Sequence, residues 1–247
     1  MGKKYLHPPI VEAACEFRLH QETLWDLTIP GLLYEKFKEG FTRKQQYHIQ
    51  EVQLHQTPQG LKQEVIDKDI VRFIGDNKEN VFIQVGPQIL SIHCLQPYIT
   101  WTAFKPIIYR AWSHLAEVFS SPISFQRIGL RYINRIFIPD KTVDLPSYFE
   151  FRPYLGKDLP QELAGFTVVS FIPFQKRRDL CRLRIINEAS NQSESPTFIL
   201  DLDYFIGTQE GFPYDQAKDW IDTAHANIET VFEGCITDRL RSIFGEA

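Results

Sequence analysis

The sequence predicts an α+β fold in which antiparallel sheets are packed with long helices. Two stretches, residues 8–20 and 125–139, alternate apolar with charged side chains, which is the pattern of a half-buried strand. Further strand-like runs and then one long amphipathic helix follow each stretch, and this grouping favours α+β. Because the order occurs twice, we predict two loosely repeated halves, 1–122 and 123–247, packed as one unit. They would form either two stacked sheets or one curved sheet wrapped by helices.

The first half is predicted to begin with a strand at 10–19, where every second residue from Val11 to Leu19 is apolar. A helix follows, with Thr28 as its expected N-cap and Gly40 as its expected stop. Strand-like runs come next, and we predict strands at 47–56, 61–67, 69–75, 80–86 and 88–95. Apolar residues at helical spacing predict a long helix at 101–119. Pro106 would lie in its first turn or at a kink, since proline lacks a backbone donor.

The second half repeats this plan after its opening strand at 125–138. An irregular segment follows, and then come predicted strands at 165–174, 180–188 and 196–206. A long helix is predicted from about Tyr214 to Phe232, and a short one from Asp238 to Phe244. The chain end carries four apolar anchors, which are Ile236, Leu240, Ile243 and Phe244. They dock either on the chain's own body or on a partner or second copy.

The composition is that of a folded protein rather than of a general polyanion binder. Of the 247 residues, 43% are hydrophobic and 23% are charged, which is ordinary for a packed globular chain. The formal net charge is -4, whereas proteins that bind nucleic acid over a broad surface carry a large basic surplus. A local basic patch remains compatible with this balance. The run at 176–178 is either a solvated hairpin tip or a loop that contacts phosphate.

The ends and the cysteines predict a reduced cytoplasmic protein. The N-terminus has no apolar segment of the kind found in signal peptides, and no apolar run approaches the roughly 18 residues of a membrane span. None of the four cysteines forms a C-x-x-C pair. Cys15, Cys94 and Cys181 fall on the apolar phase of predicted strands, so we expect them to be small buried hydrophobic residues.

Charged residues share one face of the predicted strands. Arg127, Arg131 and Arg135 are four apart, which places them on one side of a strand, and Gly129 leaves a dent between the first two. Arg182 and Arg184 have the same phase in another strand. The opposite phase predicts a core that includes Phe17, Leu130, Tyr132 and Ile228. The five arginines are interpreted either as one side of solvated cross-strand ion pairs or as a site for carboxylate or phosphate groups.

Four carboxylates are the expected polar partners of these arginines. Asp201 and Asp203 lie two apart on one strand, and Glu12 and Glu16 have the matching phase in the first strand. Together they could hold a divalent metal through oxygen ligands. Since arginines are plentiful on the same phase, we favour pairing with arginine and predict no metal.

The sequence lacks the common signatures of catalysis and cofactor binding. It contains no G-x-S-x-G, no P-loop and no G-x-G-x-x-G. Among the seven histidines, none shows H-x-x-x-H spacing. His114 and His225 lie near the apolar faces of predicted helices, where we expect core or boundary histidines. We therefore predict no cofactor, assign no catalytic residue, and favour a protein that is not an enzyme.

Three motifs resemble those of a sporadically distributed, uncharacterised prokaryotic protein family of about this length. They are P-I-V-E-A at 9–13, R-x-G-L-R-Y-x-N at 127–134 and F-x-x-x-I-T-D at 232–238, and they occur in the family's order over nearly the whole chain. The resemblance supplies no activity, cofactor or catalytic residue. The patchy distribution of such a family is typical of transferred defence or toxin-related genes.

Two hypotheses about function follow. The first is a non-enzymatic module that binds a protein partner, as an antitoxin, immunity protein or defence accessory would. The alternative is a protein that binds a nucleotide or nucleic acid on the arginine-bearing face, with or without hydrolysis. No membrane partner is expected, and a homodimer is an alternative to a monomer.

Overall fold

One antiparallel sheet crosses the whole chain in the computed structural model. The model describes residues 3–57, 60–76, 80–119, 121–140, 142–161, 163–188 and 195–245, with the side chains of 49–57 and 60–68 left undescribed. In this part of the chain the sheet has nine strands. They are β1 Ile10–Leu19, β2 Arg43–Thr57, β3 Gly60–Ile74, β4 Val81–Gly86, β5 Ile89–Leu95, β6 Ser124–Phe137, β7 Thr167–Phe174, β8 Asp179–Glu188 and β9 Thr197–Pro213.

Five helices accompany the sheet in the described residues. They are α1 Ile29–Phe37, α2 Trp101–Glu117, α3 Leu145–Tyr148, α4 Ala217–Cys235 and α5 Asp238–Phe244. The α+β class and the antiparallel sheet are therefore confirmed. Only α2 and α4 are long, so the expectation of long helices holds for two of the five elements.

The strand order places the first strand of each predicted half at the centre of the sheet. The order is β2-β3-β4-β5-β1-β6-β9-β8-β7. In both halves the first strand lies beside the last strand of that half, and the remaining strands follow outward. Two stacked sheets or one sheet were predicted, and the structure shows a single sheet. Pairing of β1 with β6, which sets Cys15 opposite Leu130, joins the two halves. A duplication of the halves, with its boundary at 122/123, stays a prediction.

The helices pack against one face of this sheet. Phe37 of α1 contacts Phe73 of β3, and Trp220 of α4 contacts Tyr204 of β9, with ring centroids 6.1 and 5.6 Å apart. The predicted core residues lie on this side and are buried: Phe17, Leu130, Tyr132 and Ile228. All four cysteines are free and buried. The strand phase read from the sequence is thus confirmed, and the charged phase faces away from the helices. We call that side the open face.

The structure differs from the sequence predictions in several details. The runs 61–67 and 69–75 form the single strand β3, because the charged residues between them include no glycine or proline that would turn the chain. Pro106 lies in the second turn of α2 rather than in its first turn, and the alternative of a kink at this residue stays a prediction. Thr28 occupies the N-cap position of α1 as predicted, but its hydroxyl donates to Asp26 and makes no hydrogen bond that caps the helix.

The C-terminal anchors dock on the chain's own body. Ile236, Leu240 and Phe244 are buried, while Ile243 remains 37% exposed. The backbone N–H groups of residues 6 and 7 donate to the carbonyls of residues 245 and 244, at 2.9 Å each. Of the two destinations predicted for this segment, the internal one is found. Among the described residues, no helix combines the length and the apolar character needed to cross a membrane.

Candidate functional site

Three neighbouring strands bring four of the predicted arginines together with two of the predicted carboxylates. In the order β6-β9-β8, Arg131 lies opposite Asp203, which in turn lies opposite Arg182. Two residues further along β8 and β9, Arg184 lies opposite Asp201. Since side chains alternate between the faces of a sheet, all of these groups project from the open face. We call Arg127, Arg131, Arg182 and Arg184 the arginine cluster.

Asp201 is the centre of the arginine cluster. Its side chain is 0% exposed, although it lies on the open face. Arg131 donates to both carboxylate oxygens, from Nε at 2.7 Å and from Nη2 at 2.9 Å. Arg184 and Arg182 approach the same carboxylate with Nη2 at 3.0 and 3.7 Å. The hydrogen bonds to Asp201 raise the pKa of Arg131 above its usual value, so this guanidinium is charged at any ordinary pH.

Arg127 fills the dent that Gly129 was predicted to leave. Its guanidinium donates to Glu16 and to Asp203, at 2.8 Å each. A Cβ atom on residue 129 would lie 2.3 Å from Arg127 Nη1. Glycine is therefore needed here to let the arginine lie flat across the strand. The dent holds part of the protein's own ion-pair network.

The arginines lie above the carboxylates. The side chains of Arg131, Arg182 and Arg184 are about a third exposed, at 36%, 32% and 34%, whereas that of Asp203 is 11% exposed. The surface thus presents guanidinium groups that acidic groups hold from below. In the described residues, the buried Nε atoms of Arg182 and Arg184 have no hydrogen-bond partner. Such buried donors are uncommon in folded proteins.

The predicted residues Glu12 and Arg135 lie outside the arginine cluster. The Glu12 carboxylate accepts a hydrogen bond of 2.8 Å from His93 Nδ1, which lowers the pKa of Glu12. Arg135 pairs with Glu188 at 2.9 Å and packs on the exposed ring of Phe137. The side chains of Arg135 and Glu188 are both exposed to solvent, so their ion pair is solvated.

A polar network continues the arginine cluster across the other half of the sheet. His93 stacks on Phe82 with ring centroids 4.7 Å apart, and its Nε2 lies 3.3 Å from Gln84 Nε2. Arg72 donates to Gln84 Oε1 at 2.6 Å. Sequence reasoning missed Arg72, Gln84 and His93. The alternation of polar and apolar residues in β3, β4 and β5 was the signal that could have found them.

Exposed apolar residues border the arginine cluster. On β7, Val169 lies opposite Arg184 and Phe171 lies opposite Arg182. Their exposed fractions are 46% and 59%. Neither residue was predicted from the sequence to belong to a site. An apolar side chain next to an ordered guanidinium is a common feature of surfaces that bind other molecules.

The metal alternative loses its ligands to the arginines. Asp201 and Asp203 both accept hydrogen bonds from guanidinium groups, which occupy the lone pairs that a cation would need. Within the described residues, no group of three His, Cys, Asp or Glu side chains is arranged to hold an ion.

The basic run at 176–178 forms the tip of the β7–β8 hairpin. Gln175, Lys176 and Arg177 all have positive φ, at 47°, 56° and 73°. This conformation costs about 1 kcal/mol or more per residue outside glycine. Arg178 is anchored by two hydrogen bonds to the buried Asp179. Lys176 and Arg177 are exposed and have no partner among the residues that the structure describes.

No family model matches the chain, and no curated protein or solved structure is similar to it. Membership of the sporadically distributed prokaryotic family therefore stays a prediction, which rests on the residues at 9–13, 127–134 and 232–238.

Proposed function

We propose that this protein is a non-enzymatic binding protein that docks a protein partner on the open face of its sheet. The observation that carries the proposal is the layer of guanidinium groups held over buried carboxylates, next to the exposed side chains of Val169 and Phe171. Arginine and aromatic residues are enriched where proteins bind one another, and they supply most of the binding free energy.

The ion-pair network favours a protein partner over a polyanion. Five arginines, which are the four of the arginine cluster and Arg18 beside Glu16, meet three carboxylates, Glu16, Asp201 and Asp203, so the network has a surplus of two positive charges. That surplus is too small for strong electrostatic attraction to a nucleic acid backbone. The same carboxylates hold the guanidinium groups in place, which reduces the conformational entropy lost when a partner binds.

A role as an antitoxin, immunity protein or defence accessory is part of the proposal. It is supported by the resemblance to a patchily distributed prokaryotic family. The partner would then be a toxin or another component of the same system.

Affinity measurements on matched variants test the proposal. Protein captured by the tagged chain from its native host would be identified, purified and titrated against each variant. We expect Arg182→Ala and Phe171→Ser to weaken binding about tenfold or more, as central interface residues do. Arg239→Ala and Leu32→Ser are the controls. Arg239 is ion-paired at 2.6 Å to Asp140, and Leu32 is 47% exposed on α1, which packs on the other face. Equal affinities for all four variants would contradict the proposal.

A second candidate is the binding of a nucleotide or nucleic acid at the same face. It is favoured by the partnerless Nε atoms of Arg182 and Arg184 and by the exposed Lys176 and Arg177. Titration with nucleotides, RNA and DNA at low salt tests it. Binding that weakens as salt rises, and that Arg131→Ala reduces without unfolding the protein, would support this candidate. An absence of binding at low salt would remove it.

A further inference from the structure

The edge strand β7 differs from the strand at the other end of the sheet. The β7 sequence, residues 167–174, contains no charged side chain. The opposite edge strand, β2, begins with Arg43 and Lys44 and carries several more charged or polar residues. Charged side chains are the usual protection of a sheet edge against pairing with another strand. β7 has only Pro173, close to its end, as protection.

The hydrogen bonds of the β7–β8 ladder show which backbone groups of β7 are free. The N–H of residue 187 donates to the carbonyl of Phe166 at 3.2 Å. In an antiparallel ladder, alternate residues bond to the same neighbour. Even-numbered residues of β7 therefore bond to β8, and Thr167, Val169, Phe171 and Pro173 direct their backbone groups outward. Among the described residues, nothing bonds these outward groups.

We propose that two copies of this chain pair antiparallel along β7 and form a dimer. Val169 of each copy would lie opposite Phe171 of the other, with the two-fold axis passing between the two Ser170 residues. In this register, residues 167–173 of one copy pair with residues 173–167 of the other. It makes two hydrogen bonds at each Val169–Phe171 pair and one at each Thr167–Pro173 pair, about six in all. It also places Val169 and Phe171, which are 46% and 59% exposed in the single chain, side by side with their counterparts on the open face.

The charges of the hairpin agree with a second copy as the occupant. A neutral strand meets its own copy without like-charge repulsion, and it carries nothing that would select a charged foreign strand. The basic tips, with Lys176 and Arg177, point to opposite ends of an antiparallel joint and stay apart. A proline at the strand end removes only one donor from each side.

The dimer would join the two open faces. A two-fold axis perpendicular to the sheet keeps the helices of both copies on the same side. The two β8 strands would be three strand spacings apart, about 14 Å. Arg182 and Arg184 of both copies would thus flank one joint. This inference stands on the β7 edge alone, so it does not depend on the identity of the binding partner.

A charge-exchange experiment tests the dimer by sedimentation velocity on the full chain. Wild type should sediment at twice the monomer mass of 28.9 kDa in the micromolar range. Val169→Lys and Phe171→Glu should each be monomeric, because each places a charge opposite an apolar side chain. The double variant Val169→Lys/Phe171→Glu should recover the dimer, since each lysine then faces a glutamate. Leu32→Lys, on the helix side, should remain dimeric.

Three results would overturn the proposal. They are a monomeric wild type, a dimer that survives Val169→Lys, or a double variant that stays monomeric while folded. Hydrogen exchange on the wild type is a second measurement that needs no variant. In the dimer, the amides of Thr167, Val169 and Phe171 should exchange slowly, and faster on dilution. Exchange of these amides at the rate of an unstructured peptide would also contradict pairing along β7. Equal partner affinities for Arg182→Ala and its control Arg239→Ala, in proteins that are still dimeric, would count against the proposed function and leave this inference intact.

Discussion

At the scale of single residues, Asp201 determines the character of the open face. A carboxylate with no exposed area costs free energy to desolvate, and the hydrogen bonds from Arg131 and the approach of Arg184 offset that cost. A buried ion pair of this kind adds little net stability, but removing one partner leaves the other groups poorly satisfied. The network therefore holds the arginines in one arrangement more than it stabilises the fold.

Asp201→Ala should destabilise the protein by about 1–3 kcal/mol, because the arginines above it lose their acceptor and only partly regain water. Glu188→Ala, which removes the partner of the exposed Arg135, is the control. It should cost under about 1 kcal/mol. Urea unfolding followed by circular dichroism measures both values. If the two substitutions cost the same, Asp201 is not the centre of the network.

His225 should make stability depend on pH. It stacks on Trp101 with ring centroids 4.0 Å apart, and burial lowers its pKa from 6.5 to about 4. His225 becomes protonated below about pH 6.5 in the unfolded chain, but only near pH 4 in the folded chain. Stability should therefore fall as pH drops from 6.5 to 4, by up to roughly 3 kcal/mol.

Comparing His225→Phe with wild type measures this effect, since the phenyl ring can keep the stack on Trp101. The variant should lose less stability than wild type between pH 6.5 and 4. His7→Gln, at an exposed histidine, should behave as wild type does. Parallel curves for wild type and His225→Phe would show that His225 is protonated equally in both states.

The residue-level predictions from sequence succeeded where strand phase was sufficient. Alternation alone placed Arg127, Arg131 and Asp201 on one face. It could not show that Glu12 pairs with His93, because that contact depends on β1 lying beside β5. The burial of Asp201 beneath the guanidinium groups could not be predicted from the sequence either, because it depends on the side-chain conformations of the arginines.

At the scale of elements, the β1–β6 pair joins the two halves. Leu130 is fully buried opposite Cys15 at this joint. Leu130→Ala should therefore cost about 2–5 kcal/mol in free energy of unfolding. Leu95→Ala, at a partly exposed site on β5 of the same sheet, should cost much less. An unfolding midpoint that Leu130→Ala leaves unchanged would be inconsistent with this core.

The C-terminal segment should behave as part of the body. Truncation after Gly234 removes the buried Leu240 and Phe244 and the backbone hydrogen bonds to residues 6 and 7. We expect a lower unfolding midpoint at unchanged oligomeric state, read by thermal circular dichroism and light scattering. A truncated protein that keeps its midpoint would contradict internal docking.

Element types were more predictable than their limits. The periods of the apolar residues predicted β1 and α5 to the residue, because the flanking signals are strong there. The same reasoning divided β3 in two, since a stretch of charged residues resembles a turn when the partner strand is unknown. Pairing with β2 along its whole length is what keeps β3 extended.

At the scale of the whole molecule, the described helices pack on one face of the nine-stranded sheet, and the charged side chains lie on the other. The sequence predicted the sheet class and the charged phase. It did not predict the strand order, because pairing between distant strands leaves no local signal. Nor could the overall charge of -4 reveal the arginine cluster, since that charge is a sum over the whole surface.

Photo-crosslinking in cells tests the central claim most directly. A photoreactive phenylalanine analogue would replace Phe137, which is 56% exposed on the open face and three strands from the β7 joint, or Leu32 on the helix side as control. We predict a discrete crosslink from position 137 to a different protein and none from position 32. Crosslinking of position 137 to nucleic acid alone, to nothing, or to the same product as position 32 would contradict the open face as the surface that binds a protein partner.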